Sequence, residues 1–473
     1  MIKSNNDWAE EQFGHATLGD PRRTARLVKM ASDLAQHPGK SVVKSSHSPA
    51  SMEGAYRFIR NDNVSSDDIA EAGFKATVNQ VHRYPLLLAL EDTTTLSYKH
   101  RSIRADLGHV NQGNRYRGLF AHSILLFAPK TLDVVGLIEQ QRWTRDIKTR
   151  GIRRKGLKRP YEEKEGYKWE RASRNMAARL GTSMVNVISV CDREADIYDY
   201  LIYKMANQQR FVVRSMMSRH IEEGSDKLYH FASELQSVKQ RQIQIAQRGG
   251  RKAREVTLDV KYAAVTLKTP SNKKGAPISL NYVGCSEIGD GEKRLNWHIL
   301  TSEPVNSAED ALKIIGYYEK RWLIEEYHKV WKSEGTGVEG IRVQSKDNLD
   351  RLATIYAFLA VRIFQLKFAN EQIEDVSCER ILSSRAWKLL WLKRVKTPLP
   401  KEVPTAKWAY EHLARLGGWK DSKRNGRASV KTLWEGWLKL QAILEGYELA
   451  LSLEQDLCSR DSLLCRWIIY IGI

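Results

Sequence analysis

"YYEKRWLIEEYHKVWK", residues 317–332, gathers tyrosines, tryptophans, an arginine, lysines and two glutamates into sixteen positions of helical character. Wound at about 100° per residue from Tyr318, Glu325 falls at roughly −20°, Lys332 near roughly −40°, Arg321 near roughly −60° and Trp322 near roughly +40°, so one face collects them. Leu323, Ile324, Tyr327, Val330 and Trp331 take the opposite arc, the apolar stripe of a helix docked on a core. Glu326 falls near roughly +80°, away from the other polar residues, which favours Glu325 of the two acids. The polar face has two readings. A solvated surface would carry an Arg321/Glu325 pair worth only a few tenths of a kcal/mol. A phosphodiester-cleaving site would use the carboxylate for a metal, flanked by cations and a tyrosine hydroxyl that hold phosphates, and would need two further acids.

Two such acids close apolar runs of strand length. In "LLLALEDTTTLSY", residues 86–98, the run ends at Asp92; in "SMVNVISVCDREADIYDYL", residues 183–201, it ends at Asp192 and passes into a helix. Strand-end aspartates and a helix glutamate can converge at the carboxyl edge of an open sheet, where α/β folds place their sites. Three carboxylates are hard-oxygen donors suited to Mg²⁺ or Mn²⁺, and two such ions about 3.5–4 Å apart support in-line phosphoryl transfer. Each aspartate also has an ordinary use, Asp92 capping a turn at "TTT" and Asp192 capping the following helix.

With 473 residues the chain is long enough for about three domains. The net charge of +20 and pI near 9.6 suit a polyanionic partner bound in a salt-dependent way, nucleic acid ahead of an anionic membrane. The opening "MIKSNNDWAEEQ" has no secretory pattern, and no apolar run approaches the roughly 18 residues of a membrane helix. The expectation is a soluble cytoplasmic protein. The tail "LLCRWIIYIGI" is interrupted by Arg466 and reads as packing into a core or a partner. Five cysteines without a C-x-x-C pair indicate a reducing compartment and no zinc site.

Along the chain, Asp20 followed by Pro21 opens a helix, "PRRTARLVKMASDLAQ", broken at His37, Pro38 and Gly39. Its cations Arg22, Arg23, Arg26 and Lys29, with Arg57 and Arg60 of "GAYRFIRN", read as a solvated face or as the lining of a duplex site, the latter preferred. "LFAHSILLFA" and "VVGLIE" read as antiparallel strands, residues 145–168 as a charged exposed segment, and Arg171 to Leu180 as a helix. Residues from about 215 to 296 alternate as strands, an all-β insertion whose turn "QRGGRKAR" carries Arg248, Arg251, Lys252 and Arg254. A long apolar helix, "NLDRLATIYAFLAVRIFQLKF", follows. Pro398, Pro400 and Pro404 mark a linker into a last helical region holding Trp408, Trp419, Trp434 and Trp437.

Tyr318, Arg321, Glu325 and Lys332 match Y-x2-R-x3-E-x6-K, and in this the chain resembles the insertion-sequence-four family of bacterial DDE transposases. "LGDPRRTARLV", "EDTTTLSY", "VCDREADI", "RFVVRS", "LTSEPV", "LARLGGW" and "LWEGW" extend the resemblance in order over nearly the whole chain. The resemblance implies an α/β, ribonuclease H-like core with an all-β insertion, flanked by helical regions. It divides the chain into an end-binding region, 1–70, a catalytic region, 71–375, and a helical dimerisation region, 376–473. It implies Asp92, Asp192 and Glu325 as the catalytic, metal-binding triad for two Mg²⁺ ions, with Mn²⁺ able to substitute. It implies DNA contacts by Tyr318, Arg321 and Lys332, and a flipped base stacked on Trp297 beside Arg214. Trp322, Lys329, Lys40, Arg22, Arg23, Arg26 and Arg57 are further expected DNA contacts. The implied reaction cuts transposon ends through a hairpin and joins their 3′-OH groups to target DNA, within a homodimer that synapses two terminal inverted repeats. A nuclease without joining activity and an inactive DNA-binding derivative are the rivals. The sequence departs from the family's pattern at Gln36 and His37, so the cognate end sequence does not carry over.

Overall fold

A computed structural model describes residues 4–110, 116–149, 159–224, 226–245, 254–289, 294–368, 377–380, 382–420 and 428–470. Its centre is one mixed sheet of ten strands: β1 (Leu87–Tyr98), β2 (Gly108–His109), β3 (Arg117–Ala128), β4 (Asp133–Trp143), β5 (Val187–Cys191), β6 (Arg210–Arg214), β7 (Lys239–Ile245), β8 (Arg254–Leu267), β9 (Ile278–Glu287) and β10 (Asn296–Thr301). The order is β2-β3-β1-β5-β6-β10-β9-β8-β7, with β4 also on β3. β1, β5 and β6 run parallel and the other pairings are antiparallel.

Side chains alternate across this sheet, and both faces are covered. Leu88, Leu90, Ile188, Val190, Val212 and Ile299 face one way, into the core shared with Ile314, Tyr318, Ile324 and Tyr327. Leu87, Ala89 and Val187 face the other way, against Ala172 and Met176 of the helix Lys168–Leu180. Cys191, Phe211 and Val213 continue that second face against Trp169, Tyr200 and Leu201. The expected α/β architecture is present, and the strand pair β3/β4 lies where the two apolar runs predict it.

Several elements differ from the sequence reading. β1 does not end at Asp92 but runs on to Tyr98, because β3 pairs with it throughout; no turn forms at "TTT" for Asp92 to cap. The 317–332 stretch is not one α-helix. Its ladder is interrupted at Arg321 between Ala308–Lys320 and Trp322–Lys329, and it widens into a π-turn at Val330–Glu334. The predicted stripe is nonetheless inside: Ile324, Tyr327, Val330 and Trp331 are buried, with Leu323 packed against the core. The insertion adds its strands to the same sheet through β10 and contains a short helix, Leu228–Glu234, too brief for periodicity to reveal. The segment expected to be wholly exposed includes buried Lys168 at the start of a helix. Arg254 pairs with Glu287, whereas Arg248, Arg251 and Lys252 lie outside the described residues.

The amino-terminal helices Asn5–Phe13, Pro21–Gln36, Pro49–Ile59 and Ser66–Val81 share their core with the helix Lys346–Phe368. As the sequence predicts, Asp20 accepts a hydrogen bond from the Arg22 N–H and Pro21 starts the helix. Arg351, buried, donates to the carbonyls of Ile59 (2.8 Å) and Val64 (2.6 Å) and ties these helices down. At the other end, helices Ala406–Leu416 and Val430–Tyr470 cross so closely that a Cβ on Gly436 would stand 1.9 Å from the Leu413 carbonyl oxygen; only glycine fits. The side chains of the apolar tail lie outside the described residues. Among those described, no helix is long and apolar enough to cross a membrane.

Candidate active site

Parallel pairing decides where the acids meet. β1 and β5 run in the register Leu87↔Val187 through Leu90↔Val190, a constant offset of 100 residues, so the strand direction carries Asp92 and Asp192 out side by side. Both have the parity of Leu90 and Val190 and emerge on the face that carries the helix Trp322–Lys329. Glu325 comes from that helix, held in place by buried Ile324 and Tyr327. Arg321 joins the set. Its guanidinium stands 3.8 Å from an Asp92 oxygen and hydrogen-bonds to Glu325. Asp92 also accepts from the Thr93 N–H (2.8 Å), and Asp192 from the Glu194 N–H (2.8 Å). The capping use of Asp192 is therefore real, but it serves the short turn Arg193–Ala195, while the helix proper starts at Tyr198.

The electrostatics record the crowding. Burial pushes the Asp92 carboxyl up to about 7; Arg321 pulls against this, and the nearby Asp192 and Glu325 charges add to the rise. Burial also raises Asp192 above the usual carboxylate range. Arg321 is held above its ordinary value despite burial, by Tyr318, Glu325 and Asp92. Among the described residues no three ligating side chains already stand as a ready metal cluster; the Arg321 guanidinium lies between Asp92 and Glu325. The donor chemistry still fits a hard divalent cation, since three carboxylates share this half-buried place with one guanidinium as their bridging counter-charge.

A pH dependence follows with a definite sign. A carboxyl whose folded pKa lies above its unfolded value binds more protons folded, so its contribution to stability is full below pH about 4 and declines as pH rises to about 7. Without divalent ions, Asp92→Asn is expected to be more stable than the wild type at pH 8, by about 1–3 kcal/mol, with the gain vanishing near pH 4. Urea unfolding at the two pH values checks this; a variant less stable at pH 8 contradicts the assigned burial of the charge.

The second expected group also assembles. Trp297 on β10 meets Tyr318 edge to face, ring centroids 5.1 Å apart, and the Arg214 guanidinium donates to the Asn296 carbonyl (3.0 Å). Arg214 has the parity of Val212, and Trp297 that of Ile299, so both lie on the face of the acids. Tyr318 is buried against the core, not spread on an open polar face. Lys332 reaches Thr94 of β1 (3.4 Å) and Glu339 (3.9 Å), Trp322 donates to Glu326 (3.2 Å), and Lys329 is exposed.

The amino-terminal cations divide. Lys40 is exposed, and its loop touches the active-site helix's exit: left-handed Gly39 stands so close that its Cβ would be 3.2 Å from the Gly335 carbonyl oxygen. Arg22 and Arg57 are exposed and paired locally, with Asp20 and Glu53. Arg23 donates to the Leu18 carbonyl (2.8 Å), and Arg26 lies across Gly54, packing two helices together.

Sequence reasoning missed a buried polar group behind the acids. Glu91 and His122 are fully buried, 3.7 Å apart, and the His122 ring also bonds Thr93 (3.0 Å). Lys204, fully buried, donates to Ser189 (2.8 Å), and burial lowers its pKa. Alternation along β1 was the available signal, since neighbours of Asp92 must face the opposite core. His328 is likewise buried, and burial drives it down to about 3, so a neutral ring supports the glutamate helix. Lys168, which pairs with Glu194 (2.8 Å) and acts on Asp192, had no signal beyond a charged run.

A mixed sheet with helices on both faces, carrying two neighbouring strand aspartates under a helix glutamate, defines a ribonuclease H-like catalytic core. The family described as transposase DDE domain matches residues 70–361, and the one described as transposase DNA-binding matches residues 5–64. The chain belongs to the DDE transposases. Among solved structures, a piggyBac transposase synaptic complex with hairpin DNA is similar over 89% of this chain and 87% of that chain, at 10% identity and a TM-score of 0.35.

Proposed function

We propose that this chain is a cut-and-paste DNA transposase of the insertion-sequence-four family, similar in its sequence blocks to the transposase of transposon Five. The observation that carries the reading is the meeting of Asp92, Asp192 and Glu325 around Arg321, two residues beyond the parallel pairing of β1 with β5. These three acids would hold two divalent ions, Mg²⁺ or Mn²⁺, which would supply Lewis-acid activation of a water or 3′-hydroxyl and charge stabilisation at the leaving oxygen of an in-line displacement. Arg321 and Lys332 hold phosphates beside the scissile bond, with Tyr318, Lys329 and Trp322 shaping the same channel. Trp297, flanked by Arg214, is the platform for a base drawn from the stack, a step whose cost of a few kcal/mol stacking offsets.

Residues 1–70 bind the terminal inverted repeat, with Arg22, Lys40 and Arg57 toward the duplex and Arg23 and Arg26 holding together the helices that present them. Residues 71–375 cut, and residues 376–473 join two copies so that paired ends are processed together. The protein works in the bacterial cytoplasm, on the nucleoid. Each step, from first-strand hydrolysis through hairpin formation and opening to joining, is the same displacement with a different nucleophile.

The test supplies pre-cut ends bearing a 3′-OH, with plasmid and Mg²⁺. Insertion of those ends is expected; cutting of intact ends without joining would leave a nuclease. Trp297→Ala is expected to reduce hairpin formation about tenfold more than first-strand cleavage, in line with the stacking energy of one base. Single-turnover gels separate the two steps, and equal losses would remove the platform role.

A further inference from the structure

Behind the acids, on the far face of the sheet, lies a buried polar group that the displacement itself does not use. Glu91 and Thr93 flank Asp92 on β1, and by the alternation of a strand both point to the face opposite its own. β3 brings His122 across from Thr93, and β5 brings Cys191 beside Glu91, one step past the pair Leu90↔Val190. The His122 ring joins the two flanking residues. Its Nδ1 is 3.0 Å from the Thr93 hydroxyl and its Nε2 is 3.7 Å from a Glu91 oxygen, with both the imidazole and the carboxylate fully buried. Trp169 stands edge-on to the imidazole, ring centroids 4.5 Å apart, and fixes its plane. Lys204, on the helix Tyr198–Ala206, is the buried cation on which the Glu91 charge acts, and it donates to Ser189 of β5 (2.8 Å).

Such a group is costly to bury. Leu87 and Ala89 share this face of β1 and are apolar, and a leucine in place of Glu91 would continue their row without desolvating a charge. What the polar group supplies is direction. A carboxylate facing Nε2 favours the tautomer with its proton there, which leaves Nδ1 to accept from the Thr93 hydroxyl. With that hydroxyl held, the Thr93 peptide N–H is fixed on Asp92, whose Oδ1 accepts it at 2.8 Å. Glu91, His122, Thr93 and Asp92 therefore form one line through the sheet, from a carboxylate buried in one core to a carboxylate on the other face. Asp192 takes its partner from a turn instead, the Glu194 N–H (2.8 Å). Carboxylates that hold a metal depend for their orientation and affinity on partners of this kind.

We propose that Glu91 and His122 are positioning residues that act through Thr93 to set the Asp92 carboxylate for a divalent ion. This rests on the metal-binding role given to Asp92 above. Full-length protein is titrated with Mn²⁺ alone, and the free ion is read by electron paramagnetic resonance. Thr93→Val removes the hydroxyl, keeps the branched shape at a half-buried position, and is expected to weaken Mn²⁺ binding about tenfold. His122→Leu and Glu91→Leu lose the same factor. Thr93→Val and His122→Leu together lose no more than either alone, because both cut one line. His122→Asn, whose amide oxygen takes the place of Nδ1, restores binding to within about threefold of the wild type. A role in packing alone gives the reverse order, with leucine tolerated and asparagine not. Unchanged binding in Thr93→Val, additive losses in the pair, or asparagine weaker than leucine overturns the positioning role. Mn²⁺ binding that Asp92→Asn leaves intact, or no binding in the wild type, overturns the metal role of Asp92 itself, and the positioning with it.

Discussion

Glu325→Gln is expected to retain binding to paired end DNA and to lose Mg²⁺-dependent nicking by about a thousandfold or more, roughly 4 kcal/mol of barrier. The substitution is nearly isosteric and keeps an oxygen able to accept from Arg321, so the helix and its buried stripe are left in place. What it removes is a negative charge from a set of three. Asp92 feels both Asp192 and Glu325, so the loss lowers the attraction of the whole cluster for a divalent cation, not of one oxygen alone. Gel shifts with paired ends and single-turnover nicking of the same DNA measure the two effects separately. Normal nicking would take Glu325 out of the mechanism and leave Glu326, which is turned toward Trp322, as the acid to examine.

Trp331→Ala is expected to lower stability by about 3–5 kcal/mol, a large part of what a folded chain ordinarily has. Trp331 is fully buried, its indole N–H donates to the Ala353 carbonyl (3.2 Å), and its ring lies nearly parallel to that of Tyr327, centroids 6.3 Å apart. Alanine leaves a cavity and an unsatisfied carbonyl together. The same residue anchors the π-turn after the glutamate helix, where the Thr336 hydroxyl donates to the Trp331 carbonyl (2.7 Å). Activity is therefore expected to fall even at temperatures where the variant remains folded, because Lys332 sits in that turn. Urea unfolding gives the stability term; a loss under about 1 kcal/mol would mean that this arc is not core.

These two predictions draw on different parts of one helical stretch, and both parts were readable in advance. Apolar residues at helical spacing have to find a core, so the inward arc of 317–332 follows from the order of residues alone. The amino-terminal helix from Pro21 was equally plain, since its cap, its first proline and its terminating Pro38 and Gly39 are local signals. The break at Arg321 and the π-turn at Val330 were not, because an α-helical wheel assumes an unbroken ladder. Lys168 was read as exposed because neighbouring charges dominate the run; its burial depends on Trp143 and Trp169, whose rings it approaches, and on Glu194, which follows Asp192.

By itself the order of residues carried the class of fold and the motif around Glu325, and it made Asp92, Asp192 and Glu325 candidates, since each is a matter of local pattern or of spaced identities. Tertiary structure alone decided that β1 and β5 pair in parallel with the offset that sets Asp92 beside Asp192, and that one arginine is shared between Asp92 and Glu325. It also decided that Glu91, His122 and Lys204 lie buried behind them. The reason is range. Periodicity and capping act over a few residues, whereas the register of two strands a hundred residues apart is chosen by which faces can be buried together.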